Sequence, residues 1–253
     1  MNRHKPFDIP LFISAAQACS YLPGRTQRLL FVDPHWIPSP EQYQALLDLG
    51  FRRTGGYLFR PACRGCQRCL PVRLPAERFE PRRGQRRCWR DNQNRLTVEM
   101  TVPGWEAAHQ SLYARYLQCR HPTGHLSEHD KNPLDFLTAS WATTRFLEFR
   151  EAGELIAVAV TDLLPEGLSA IYTFFDPALS KRGLGTFAIM AQIRHVIQLE
   201  RRYLYLGYWI PGSAKMHYKG DYRPIEVFDG RQWRELMRGD PVNGVNGVNG
   251  APK

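Results

Sequence analysis

Cys63, Cys66 and Cys69 stand three residues apart in the run Cys-Arg-Gly-Cys-Gln-Arg-Cys. Thiolates at that spacing in a turn can converge on one soft ion or cluster, because C-x-x-C is the common two-ligand unit of zinc and iron–sulfur sites. Three thiols fall short of the usual four ligands, so a redox-sensitive or merely buried cluster competes with that reading. A second signal is Ser180-Lys-Arg-Gly-Leu-Gly-Thr186, where Gly183 and Gly185 would let an anion reach backbone N–H groups at the positive end of a following helix. Arg182 adds charge there, although a tight turn with close packing explains the same glycines. The third signal is basic: Arg82, Arg83, Arg86 and Arg87 crowd together, and Lys215 and Lys219 follow an aromatic run. Clustered cations suit nucleic-acid phosphates, and a solvated basic face is the bland alternative. His121, His125 and His129 repeat near Cys119, but Pro122 and Gly124 interrupt any helix, so they read as surface residues of a polar loop. Cys88 and Cys119 read as lone thiols.

These groups need elements to hold them. Ser39-Pro-Glu-Gln42 carries an N-cap serine, a first-turn proline and a capping-box glutamine, and Gly50 suits a helix end, so a helix is predicted over about 40–49. A strand is expected near Tyr57–Arg60, then the cysteine turn, then an extended piece near Val72–Leu74. Residues 84–95 read as a polar helix or basic connector, and the domain boundary is placed there. Helical spacing follows at Trp105–Gln118 and Pro133–Trp141. Three strand-like runs, Arg145–Arg150, Leu155–Thr161 and Leu168–Phe175, are separated by turn signals. A helix over about Leu184–Glu200 presents Ile189, Ile193, Val196 and Ile197 on one face, and Tyr203–Leu206 is a further strand. The order β-β-β-α-β, with its last strand parallel to the one before the helix, is that of an acyltransferase core. The fold class is therefore α+β: an acetyltransferase-like (GNAT-type) mixed sheet over 91–240 and a smaller N-terminal α+β domain, 1–90, bearing the cysteines. The Val-Asn-Gly repeat within 241–253 has nothing to bury and reads as a disordered tail.

Composition narrows the partners. The chain has 253 residues and a formal net charge of +10, which implies an anionic partner. No apolar stretch approaches the roughly 20 residues that span a bilayer, so no membrane is expected. The first residues lack a long apolar core after their charges, and six cysteines in a chain this long suit reduced thiols. A cytoplasmic location is the expectation.

Several segments together resemble the bacterial aminoacyl-tRNA–protein transferases that place leucine on N-terminal aspartate or glutamate, relatives of the eukaryotic arginyl-tRNA–protein transferases. They are Cys19-Ser-Tyr-Leu-Pro-Gly-Arg25, Tyr43 to Tyr57, Arg60 to Arg73, Tyr172-Thr-Phe-Phe-Asp-Pro177, Gly183-Leu-Gly-Thr-Phe187, Tyr203 to Ile210 and Lys215 to Pro224. The resemblance implies a leucyl-tRNA donor and protein acceptors beginning with Asp or Glu, and a product marked for degradation. It implies no cofactor for the transfer itself, since the donor is already an activated ester. It also suggests roles. Lys215 and Lys219 would hold tRNA phosphates or the acceptor carboxylate, Tyr208, Tyr218 and Trp209 would stack on the terminal adenosine, and Tyr172 and Asp176 would serve the reaction. Arg52, Arg53 and Arg60 would read the acidic acceptor residue, and Arg82, Arg83, Arg86 and Arg87 the tRNA backbone. In the eukaryotic relatives the cysteine region looks like a zinc or iron–sulfur site completed by an N-terminal C-x-x-C. Here Cys19 is the matching fourth thiol, but Leu22 stands where its partner would be. An arginyl donor, a coenzyme-A-dependent N-acetyltransferase and a non-enzymatic zinc-dependent RNA-binding module are the competing readings.

Overall fold

A computed structural model of the chain describes residues 9–120 and 132–237, so the three histidines of the polar loop and the terminal repeat lie outside it. In chain order the strands are β1 (Leu11–Ile13), β2 (Gln17–Ala18), β3 (Thr26–Gln27), β4 (Leu29–Val32), β5 (Arg52–Thr54), β6 (Tyr57–Pro61), β7 (Leu70–Pro75), β8 (Thr97–Thr101), β9 (Thr143–Glu151), β10 (Glu154–Leu164), β11 (Gly167–Phe175), β12 (Tyr203–Trp209), β13 (Ile225–Phe228) and β14 (Trp233–Leu236). The helices are α1 (Pro40–Asp48), α2 (Arg83–Gln93), α3 (Ala107–Arg120), α4 (Pro133–Leu137) and α5 (Leu184–Gln198). One mixed sheet runs β14-β13-β7-β12-β11-β10-β9-β8, a smaller antiparallel sheet runs β1-β4-β6-β5, and β2 pairs with β3. The chain is thus α+β.

The expected order is present: β9, β10 and β11 meander antiparallel, α5 crosses over, and β12 returns parallel to β11. β10 is buried on both sides, which explains its near-continuous apolar run. Its small residues Ala157 and Ala159 meet Leu184, Phe187 and Ala188 of α5, while Val158 and Val160 meet Leu112 and Tyr113 of α3. That alternation lets α5 lie close on one face. α1 begins as its capping box requires: Ser39 Oγ accepts from Gln42 N–H, and Gln42 Oε1 accepts from Ser39 N–H. It buries Tyr43, Leu46 and Leu47.

Three expectations are corrected. Ile197 does not share the core face of α5; it is 45% exposed, and the buried arc includes Leu184, Phe187, Ala188 and Ala191 because α2 also packs on this helix. Helix α4 stops at Leu137, where the N–H of Thr138 closes onto Leu134 O and Thr138 itself is extended, instead of reaching Trp141. And β7, from before residue 90, lies inside the large sheet between β13 and β12. The sheet therefore draws strands from both sides of the expected boundary.

Candidate active site

β11 and β12 pair only from Gly167–Tyr203 to Ser169–Tyr205. Immediately beyond, each strand carries an unpaired residue: Ile171 falls between the partners of Val160 and Thr161, and Leu206 between those of Arg73 and Val72. A bulge bends its strand, and two facing bulges force the pair apart. The opening is a cleft of about 1330 Å³, walled by Ala170–Thr173, Leu206 and the first turn of α5, with α2 and the turn at 217–221 completing it.

Two cations form its floor. Arg52 donates from Nη1 to Ser169 Oγ at 3.1 Å and from Nη2 to Ala170 O at 2.6 Å, bridging the point where the strands part. It fits because position 207 is glycine: a Cβ there would lie 2.9 Å from the guanidinium carbon, and the residue has φ +79°. Lys219, only 7% exposed, donates from Nζ to Tyr208 O at 3.0 Å. Burial, and secondarily the charge of Arg52, pulls its amine down to about 7.

The glycine turn forms the roof. Residues Pro177–Arg182 make a 3-10 turn, and Gly183 (φ +69°) switches the chain into α5. Helix α2 clamps this turn. Asn92, fully buried, donates to Arg182 O at 3.0 Å and accepts from Arg182 Nε at 3.1 Å, while Cys88 Sγ donates to Gly183 O at 3.3 Å. Arg182 also pairs with Glu151 at 2.6 Å. A Cβ on Gly183 would meet Cys88 Sγ at 3.1 Å.

Residues 17–87 match the family model described as the N terminus of arginine-tRNA-protein transferase, and residues 108–229 match its C terminus. The aspartate/glutamate leucyltransferase of Halorhodospira halophila is 46% identical over 229 residues, covering 89% of this chain and 97% of its own. The chain belongs to the aspartate/glutamate leucyltransferase family. Proteins of the same description from Chromohalobacter salexigens and Saccharophagus degradans are 46% and 43% identical, over 91% and 89% of this chain and 94% and 96% of theirs. Both halves of the leucyltransferase family meet at the cleft: Arg52 and Arg82 come from the N-terminal match, and Tyr172, Gly183 and Lys219 from the C-terminal one.

Among the residues that resemblance singles out, the cleft brings together Arg52, Arg82, Arg87, Tyr172, Arg182, Gly183, Gly185, Lys215, Tyr218 and Lys219. Tyr172 walls the cleft with Tyr116, and its ring also packs edge-on against Phe136. Arg82 is paired with Asp221 at 2.6 Å, whereas Lys215 and Arg87 are exposed. Gly185 makes only ordinary contact with Phe175 and needs no special backbone freedom. Arg83 and Arg86 stand exposed on α2 outside the lining.

Other assignments are corrected. Trp209 is 1% exposed, donates to His217 O and packs on Gly220, so it cannot stack on a nucleoside. Tyr208 is buried with its hydroxyl donating to Gly50 O at 2.9 Å. Arg53 is buried in an ion pair with Asp162 that also takes Tyr43 and Thr144, so it faces no acceptor. Arg60 donates to Leu49 O and lies over the Phe51 ring, away from the cleft. Asp176 caps the 3-10 turn through Ala178 N–H and pairs with Arg115, outside the lining.

Cys19, Cys63 and Cys66 lie near enough to act on Cys69. Burial first, then the other three thiols, pushes Cys69 up to about 12. Among the described residues, however, no three His, Cys, Asp or Glu side chains are arranged to hold a metal ion. The thiols as placed do not fit zinc or an iron–sulfur cluster. Gly207 and Asn92 shape the cleft, and the sequence reading singled out neither. An isolated glycine inside the aromatic run Tyr203–Trp209 was a signal for a bulge or close approach. Asn92 sits in the polar string Asp-Asn-Gln-Asn, which offers none.

Proposed function

We propose that the chain moves leucine from leucyl-tRNA to the N-terminal α-amine of proteins beginning with aspartate or glutamate. Near-full-length relatives of that description, at 46% identity, are the observation that carries the reading. The cleft is compatible with it. The acceptor amine attacks the aminoacyl ester carbonyl, the tetrahedral oxyanion collapses, and the C–O bond to the terminal ribose breaks. The ribose hydroxyl takes the proton the amine gives up. An ester becomes an amide, so no ATP and no cofactor is required.

An α-amine has a reference pKa of about 7.7–8.0, so a useful fraction is neutral near pH 7 and alignment matters more than a strong base. The positive field of the cleft and of the α5 N terminus favours the oxyanion. We read β9–β10–β11–α5–β12 as a GNAT-type core in which the donor's 3′ end enters between β11 and β12 beneath the glycine turn. The tRNA backbone then follows Arg87 and Lys215 at the rim and the exposed arginines of α2. Tyr172, Ile171 and Leu206 supply apolar surface that suits a leucyl side chain, whereas an arginyl donor would call for a free carboxylate, and the lining carboxylates Asp221 and Asp91 are paired with Arg82 and Arg90. No helix of the described residues is long and apolar enough to cross a membrane. We place the activity in the cytoplasm, where an added N-terminal leucine marks a protein for degradation.

The deciding experiment mixes purified protein, leucyl- or arginyl-tRNA with labelled amino acid, and peptides beginning with Asp, Glu or Ala. Leucine on the Asp and Glu peptides alone is the expected result. Transfer of arginine in its place, or no transfer by folded protein, overturns the reading.

A further inference from the structure

Among the described residues, neither Arg52 nor Lys219 forms an ion pair, although both are basic side chains on the cleft floor. Neutral oxygens are their hydrogen-bond partners: the Ser169 hydroxyl and the Ala170 and Tyr208 carbonyls. Charged side chains are rarely buried without a counter-charge, because desolvation is costly. Here two such groups lie close enough for one to act on the other, and the nearby carboxylate Asp162 is committed to Arg53. A guanidinium has five N–H donors and an ammonium three, so each has more donors than its printed bonds use, and both residues line the cleft. Gly207 keeps this arrangement open, since any Cβ there would collide with Arg52.

We infer that Arg52 and Lys219 form the receptor for the side-chain carboxylate of the acceptor's first residue. The chemical class of that residue rests on the leucyl-transfer reading; the presence of a small-anion site does not. A donor phosphate is the other anion at hand. The exposed Arg87 and Lys215 at the rim are where a bulky phosphodiester would run, whereas the floor pair lies behind the bend of both strands and suits a compact carboxylate. Bound there, the carboxylate would be read by a guanidinium and an amine that it draws into the protonated state, whereas an amide in its place would neither offset the Arg52 charge nor protonate Lys219. That accounts for a choice between Asp and Asn, or Glu and Gln, which differ little in shape.

The groups facing the amine are Arg52 from β5, the Tyr208 carbonyl from β12, and the Tyr218 ring 5.9 Å away, with Lys215 in the same cleft and Asp221 paired to Arg82. An anion beside Lys219 opposes the burial and the Arg52 charge that lower its proton affinity, so it draws a proton onto the amine. Two measurements test the assignment. In transfer kinetics, Lys219→Met should raise KM for an Asp-initiated peptide about 10- to 100-fold, the size of a lost charge-assisted hydrogen bond. It should cut the preference over the matching Asn peptide by a similar factor, with Arg52 still in place, and leave leucyl-tRNA affinity unchanged. In calorimetry on the unaltered protein at pH 8, the Asp peptide should bind with more proton uptake than the Asn peptide, seen as a dependence of heat on buffer. Both peptides carry the same α-amine, so the difference isolates the receptor. An undiminished Asp preference, a loss of leucyl-tRNA affinity with KM unmoved, or equal binding and proton uptake for the two peptides overturns the inference. The calorimetry needs no turnover: if no leucine is transferred yet the Asp peptide is selected, the activity falls and the receptor stands.

Discussion

Arg52 and Arg53 are chain neighbours with opposite fates, because consecutive residues of a strand point to opposite faces. One reaches the cleft floor; the other enters a buried pair with Asp162, joined by Tyr43 and Thr144. Removing one partner strands a charge in the interior, so Arg53→Met or Asp162→Leu should each lose about 3–5 kcal/mol in urea unfolding. The double replacement should lose much less than the sum. At Gly207, alanine would both strain a positive φ and displace the Arg52 guanidinium, so Gly207→Ala should cost about 1–3 kcal/mol and blunt selection of Asp peptides. Lys219 sets a pH dependence with a definite sign. Its folded value, about 7, lies below its ordinary one, so between those limits the unfolded chain binds more protons and stability rises with pH. Relative to Lys219→Met, the ligand-free wild type should therefore gain stability from about pH 7 upward, measured by denaturant unfolding at successive pH values. Which of the candidate arginines reaches the cleft was not legible in the sequence, since all carry the same charge and only the face each occupies distinguishes them.

Among elements, the decisive contact is the hold of α2 on the turn before α5. Asn92 satisfies Arg182 O and Cys88 O and accepts from Arg182, all at a fully buried site. Asn92→Ala should leave these groups unpaired and cost about 1–3 kcal/mol, read as a lower urea midpoint with the slope unchanged. Because the turn roofs the cleft, the same change should lower transfer more than an Arg83→Ala control on the exposed face of α2. Local signals served well where local chemistry decides: the Ser39–Gln42 box begins α1, and the turn at Gly183 precedes α5. They failed at Ile197, which shares the helical period of the core face but loses its cover because the packing of α2 rotates the buried arc.

For the whole molecule, the insertion of β7 between β13 and β12 makes the large sheet depend on residues before 90. Expressed alone, residues 91–237 would leave both neighbouring strands with open edges, and should be insoluble or lack the cooperative unfolding of the full chain. The formal charge of +10 predicts steep salt sensitivity: leucyl-tRNA affinity should fall linearly with salt on logarithmic axes, by about 0.7–0.9 per phosphate neutralised. Arg87→Ala should reduce that slope by about 1 in filter binding. The residues by themselves determined the basic character, the succession of three strands, a helix and a parallel strand, and the family, because composition, periodicity and motif order are properties of the chain. Tertiary structure alone decided that β11 and β12 part at paired bulges, that Trp209 and Tyr208 are sealed in the core, and that Arg52 and Lys219 share the cleft floor with no ion-pair partner among the described residues. Those outcomes depend on contacts between segments far apart in the chain, and on burial, which turns identical side chains into a structural pair in one place and part of an anion receptor in another.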